Sequence, residues 1–138
     1  MDAPEGSASQ QQRTVVVVDD VEQIRLLLAR LIATSPGLTL VGQATDFASA
    51  FEVIESTRPD IAVIDRSMPG PDPSSAFRLL RARFPDTVLV LLTATPADDL
   101  EPSLLSTVDT TIDKCSPLSA VLASLEAVGV AGRRSLSG

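Results

Sequence analysis

Residues 61–70 read Ile61-Ala62-Val63-Ile64-Asp65-Arg66-Ser67-Met68-Pro69-Gly70. Four apolar residues in succession, three of them β-branched, spell a short strand buried on both faces, as in the middle of a parallel sheet; a half-solvated strand would alternate. Pro69 has no N–H to give to a ladder, so the chain turns and leaves the Asp65 carboxylate at the strand's C-terminal end. Open α/β sheets bind their ligands at that edge. An aspartate also ends strands simply as a turn residue, so the meaning of Asp65 depends on what the other strand ends carry.

Toward the N-terminus, Thr14-Val15-Val16-Val17-Val18 is the strongest strand in the chain and ends in Asp19-Asp20. Ile24, Leu27, Leu28, Leu31 and Ile32 then recur at helical spacing until Ser35-Pro36-Gly37 stops them. Leu38 to Ala44 forms a second strand, and Asp46 N-caps a helix to about Thr57 with Phe47, Ala50, Phe51 and Ile54 inward. Toward the C-terminus, residues 70–73 make a loop and Ser74 or Ser75 starts a helix carrying Ala76, Phe77, Leu80 and Phe84. Thr87 to Leu92 is a fourth buried strand, ending at Thr93-Ala94. Residues 95–108, with Pro96, Asp98, Asp99 and Pro102, hold only a turn or two of helix from Pro102 and are expected to be the most mobile element. Thr110-Thr111-Ile112 is a short fifth strand ending in Asp113-Lys114, and Ser116-Pro117 opens a last helix with Leu118, Val121, Leu122 and Leu125 on one face. The expected organisation is a disordered tail over 1–13, one domain over 14–128 and a small-residue linker over 129–138.

Strands and helices alternate five times, which with right-handed crossovers gives a three-layer, doubly wound α/β fold around a five-stranded parallel sheet. The common strand order is 2-1-3-4-5, the flavodoxin-like arrangement, with its switch point between strands 1 and 3. Asp19, Asp20 and Asp65 end those two strands and are expected to share one cleft.

Composition narrows the chemistry. The 138 residues include no histidine, which removes imidazole bases, Ser-His-Asp and Cys-His nucleophiles and histidine metal sites. Cys115 is the only cysteine, so there is no intrachain disulfide or cysteine cluster, and a reducing, cytoplasmic setting is expected. A net charge of −7, with Arg133-Arg134 the longest basic run, speaks against direct nucleic-acid binding by this chain. No apolar run has the length of a membrane span, and the N-terminus lacks the pattern of a signal peptide.

Two like charges about 4 Å apart repel by roughly 4 kcal/mol at an effective dielectric near 20, so three clustered carboxylates need protons or a cation. Hard oxygen donors select Mg²⁺, or Mn²⁺, over zinc, and Mg²⁺ commonly completes its shell with water and phosphate. Thr93 adds a hydroxyl at the same edge, and Lys114 an ammonium. Lys114 is the only lysine beside ten arginines, which points to a need for a compact charge on a flexible stem. Cation, hydroxyl and ammonium together can clamp three phosphoryl oxygens while Asp65 attacks phosphorus and becomes an aspartyl phosphate. With no histidine in the chain, the phosphodonor must be external. Taken singly, each position has a plainer reading: strand end and helix cap for Asp19-Asp20, turn residue for Asp65, strand residue for Thr93, solvated charge for Lys114.

Taken together, from Thr14 to Ala127, these residues resemble the response-regulator receiver domains of two-component signalling. Asp19-Asp20 is similar to the family's acidic pair, Asp65 through Met68-Pro69 to its Asp-x-x-Met-Pro phosphoacceptor segment, Thr93-Ala94 to its hydroxyl and small residue, and Lys114 to its lysine. Leu38 to Ala44 and Ala131 to Ser137 are most similar to the NarL/FixJ (LuxR-type) subfamily, whose members usually carry a C-terminal helix-turn-helix domain; that output domain is expected to be absent from this chain. The resemblance implies Mg²⁺ held by Asp19, Asp20, Asp65 and the backbone carbonyl of Ser67. It also implies a sensor histidine kinase or phosphotransfer protein as donor, regulation of transcription as output, and association into a homodimer. Three positions depart from the family pattern. Thr111 stands where an aromatic switch residue is usual, Cys115 where proline often follows the lysine, and Pro73 where glycine is usual.

Two alternatives follow from those departures and from the acid cluster. The first is an atypical receiver that acts as a phosphorylation-independent protein-interaction module. The second is a Mg²⁺-dependent phosphatase of the haloacid dehalogenase type, which ranks low because such enzymes need a second acid two residues after the nucleophile and Ser67 stands there.

Overall fold

The computed structural model describes residues 12–68 and 70–137, with the side chains of 97 and 129–137 left aside. Five parallel strands, β1 (Arg13–Val18), β2 (Leu38–Ala44), β3 (Ile61–Asp65), β4 (Val88–Thr93) and β5 (Thr110–Asp113), form one sheet in the order β2-β1-β3-β4-β5. The helices are α1 (Glu22–Ala33), α2 (Phe47–Thr57), α3 (Pro73–Arg83), α4 (Pro102–Thr107) and α5 (Leu118–Ser137), with a 3₁₀ turn over Ala97–Asp99.

The alternation of side chains along each strand sorts the core into two layers. Val16, Val18, Ala62, Ile64, Leu89 and Leu91 face α2, α3 and α4, where Phe47, Ile54, Phe77, Leu80 and Leu104 cover them. Val15, Val17, Ile61, Val63, Val90 and Ile112 face α1 and α5 through Leu28, Ile32, Val121 and Leu125. Every residue of β3 and of β4 is buried, which is why both read as unbroken apolar runs.

Local chemistry fixes the joints. Asp46 caps α2 by accepting the Ser49 N–H at 2.8 Å, and Ser49 returns the contact to the Asp46 N–H at 3.2 Å, a reciprocal capping box. α3 begins one residue earlier than the sequence pattern suggests. Pro73 occupies its first turn, where its missing N–H is no loss, and Asp72 accepts the Ser75 N–H. On β2, the pairing with β1 slips between Val15 and Val16, so Val41 is an extra residue and Gly42 lies opposite Val16. A Cβ on Gly42 would stand 2.6 Å from Val53 Cγ1, so α2 rests directly on the bare backbone there.

Two expectations about extent change, and a third, the short helix from Pro102, holds. Arg13, assigned to the tail, opens β1, and its N–H donates to Gly37 O at 2.8 Å; residues 1–11 lie outside the described residues, as does Pro69 of the turn after β3. Residues 129–137, expected as a linker, continue α5 as helix, because small residues without an interior proline leave nothing to stop it. Residues 95–108 contain the 3₁₀ turn and α4, which starts at Pro102 as its first-turn chemistry requires.

Candidate functional site

The carboxyl ends of the strands converge because the strand order changes direction between β1 and β3. β1 delivers Asp19 one residue past its end, still held in the ladder by its N–H to Ala44 O at 3.1 Å. Its side chain is fully buried. Oδ1 accepts the Val21 N–H at 2.9 Å, and Arg25 of α1 donates to its backbone carbonyl at 2.8 Å. Oδ2 is buried and has no hydrogen-bond partner among the described residues. Asp20 is exposed, and neither acid caps α1, whose N-cap is Val21 without a side-chain bond. The plainer reading of this pair as strand end and helix cap therefore loses its second half.

Asp65, the last residue of β3, is 1% exposed. Its Oδ1 accepts the Ser67 N–H at 3.2 Å and faces Lys114 Nζ at 2.8 Å. Lys114 follows β5, and its N–H extends the β4–β5 ladder to Thr93 O at 2.9 Å; its ammonium also lies 3.7 Å from Asp19 Oδ2. Thr93 is buried and its Oγ1 accepts the Thr95 N–H at 2.9 Å, leaving the hydroxyl hydrogen without an acceptor among the described residues. Ala94 is exposed just beyond it. One carboxylate oxygen from each of Asp19, Asp20 and Asp65 lies within 4.8 Å of the other two.

The charges are out of balance. Burial pushes the Asp19 carboxyl above its ordinary range, with the Asp65 and Asp20 charges adding to the effect and the Val21 N–H and Lys114 opposing it. Burial also disfavours the Lys114 charge, but the hydrogen bond to Asp65 and the charges of Asp65, Asp19 and Asp20 outweigh it and hold the ammonium above its usual value. Three carboxylates against one ammonium, hard oxygen donors and an orphaned buried oxygen fit a hard divalent cation.

Thr111 pairs with Leu91 across β4–β5 and, with Thr93, Thr95 and Ser124, lines a cavity of about 300 Å³. Lys114 reaches Asp65 without a proline after it, and the described residues contain no cis peptide bond. Cys115 is exposed and donates its N–H to Asp113 at 2.8 Å.

Two arginines were not legible in the sequence. Arg66 Nη2 lies 3.1 Å from Glu101 Oε1, across 35 positions of sequence. Arg25, as described, braces the Asp19 carbonyl. Neither pairing follows a helical or strand spacing, so no periodicity could have announced it.

An acid cleft at the switch point of a 2-1-3-4-5 sheet, with a lysine reaching across it from the last strand, defines a receiver-type α/β domain. The chain belongs to the response regulator receiver domain family, whose model matches residues 15–126. It is 36% identical over 80 residues, 58% of this chain and 37% of the relative, to the uncharacterized transcriptional regulatory protein YhcZ of Bacillus subtilis. It is 38% identical over 84 residues, 61% of this chain and 24% of the relative, to protein-glutamate methylesterase/protein-glutamine glutaminase 2 of Anaeromyxobacter dehalogenans. A LuxR-family two-component response regulator from Aurantimonas sp. superimposes with a TM-score of 0.79 at 25% identity, covering 86% of each chain. The match thus spans well under half the length of these two curated relatives. Among the described residues no helix is long and apolar enough to cross a membrane.

Proposed function

We propose that this receiver domain is a phosphoacceptor, modified on Asp65 by a sensor histidine kinase or phosphotransfer protein in the cytoplasm and signalling to a transcriptional output. An Asp65 carboxylate oxygen attacks the phosphorus of the donor's phosphohistidine. The new O–P bond replaces the donor's P–N bond, and the departing imidazole takes up a proton. Lys114, already at Asp65 Oδ1, moves with a phosphoryl oxygen and offsets its charge. The Thr93 hydroxyl has a hydrogen to give to a second oxygen, and the Ala94 side chain leaves room beside it. Asp19, Asp20 and Asp65, with the Ser67 carbonyl, would hold Mg²⁺, whose charge offsets that of the transferred group.

The observation that carries this reading is the meeting of Lys114 with the buried Asp65 and with Asp19 Oδ2, which has no hydrogen-bond partner among the described residues and only the ammonium at 3.7 Å. A small-molecule phosphodonor with Mg²⁺ should add the mass of one phosphoryl group to the wild-type protein and none to Asp65→Asn. No mass increase in the wild type would refute it. The transcriptional output is supported by the relative named as a transcriptional regulator.

A second reading, binding without turnover, draws on Thr111 and the cavity beside Thr93, where no ring connects the hydroxyl to β5. It expects the amide resonances of residues 95–108 to stay in place when beryllofluoride is added, whereas the phosphoacceptor reading expects them to move.

A further inference from the structure

We propose that Arg66 and Glu101 form an electrostatic latch that holds the start of α4 against the Asp65 loop in the unmodified protein, and that a phosphoryl group on Asp65 opens it. The proposal rests on the phosphoacceptor reading of Asp65 and adds how the modification is passed on in a chain with threonine at position 111.

Arg66 directly follows Asp65, and its main chain is fixed by the N–H donated to Leu92 O at 2.9 Å. Its guanidinium is therefore carried by the residue that adjoins the carboxylate that would be modified, on a main chain that cannot drift from it. The single contact from Nη2 to Glu101 is not the two-pronged pairing that arginine makes with a carboxylate at its strongest, and Nε is buried with no hydrogen-bond partner. The guanidinium thus holds a partner and still has an unmet donor. Glu101 occupies the N-cap of α4 but makes no side-chain cap bond; its carboxylate is held by its own backbone N–H and by Arg66. Leu100 and Leu104 are buried beneath this segment, which keeps it seated while its polar rim is free to shift.

A phosphoryl group brings close to two negative charges and three acceptor oxygens, a stronger partner for a guanidinium than one carboxylate. Placed on the residue next to Arg66, it draws the guanidinium away from Glu101, satisfies the unmet donor and frees the start of α4. Ordering and release of segments by exchange of arginine partners is a known route from a local charge to a wider change.

The test follows backbone amide resonances of residues 95–108 with and without beryllofluoride in the wild type, in Glu101→Gln, and in the charge swap Arg66→Glu with Glu101→Arg. Phosphoryl uptake is measured by mass on the same samples. Glu101→Gln without beryllofluoride should already sit near the wild-type beryllofluoride positions, with the further change on addition reduced at least twofold and phosphoryl uptake retained. The swapped pair should restore the resting positions and hold them when beryllofluoride is added, because a glutamate at 66 is not drawn to an anion. Resting wild-type positions in Glu101→Gln, or a full-size change on addition in the swapped pair, would overturn the latch. Absence of phosphoryl uptake by the wild type would instead remove the reading of Asp65 on which the latch depends.

Discussion

β1 and β3 present Asp19, Asp20 and Asp65 from two central strands whose apolar side chains are all buried, whereas Thr93 and Lys114 flank a segment tied down by many polar contacts. Arg81 of α3 donates to Thr107 O, Thr87 O and Pro85 O and pairs with Asp109; Ser103 donates to Ser74; Arg66 meets Glu101. Apolar burial is undirected and has no substitute partner to turn to, so it holds the acids in one place. Polar ties can exchange partners, so the same fold keeps one half of the site fixed and the other half able to respond.

The largest break in that contrast should come from the fixed half. Ile64→Ala removes a fully buried side chain between β3 and the helices, and we expect a loss of about 2–5 kcal/mol. The urea midpoint should fall with an unchanged slope and amide exchange should rise throughout the domain. Protection lost only near residue 64 would contradict a single cooperative core.

Arg81→Met should cost less, about 1–3 kcal/mol, since it leaves carbonyls and the Asp109 carboxylate short of donors while Asp109 keeps the Leu89 N–H at 2.8 Å. Here the exchange rates should rise chiefly over 102–109, and an even rise across all strands would argue that this half is not a separate unit.

The smallest effect concerns charge. In the folded protein the Asp19 carboxyl is raised above 3.8 by burial, so between 3.8 and that higher value the folded state binds more protons than the unfolded one. Stability therefore falls as pH rises through that window, and the ionised group remains a penalty above it. Asp19→Asn should flatten that decline and raise the thermal midpoint at neutral pH in the presence of a chelator; a lower midpoint would show that the carboxylate is net stabilising.

How much of this was legible follows the same division. Unbroken apolar runs ending in Asp19, Asp65 and Thr93 announced buried parallel strands, and with alternating helices and the short Thr110–Asp113 strand before Lys114 they led to the observed strand order. The acid cleft followed from that order alone. Asp46 was readable because capping chemistry is local. Arg25, Arg66 and Arg81 were not, because a long side chain on the surface can reach partners far away in sequence, and its choice depends on packing angles that no local pattern encodes. Pro73 reads in the sequence as a break, although at the first turn of a helix a proline is a start.

The ends of the sheet carry one more consequence. β5 is only four residues long, and β2 is interrupted by its extra residue at Val41. Neither rim offers a long, regular row of free peptide groups on which a neighbouring molecule could template a sixth strand. For a fold whose middle is almost wholly Val, Leu and Ile, such rims are expected to resist sideways growth into fibres.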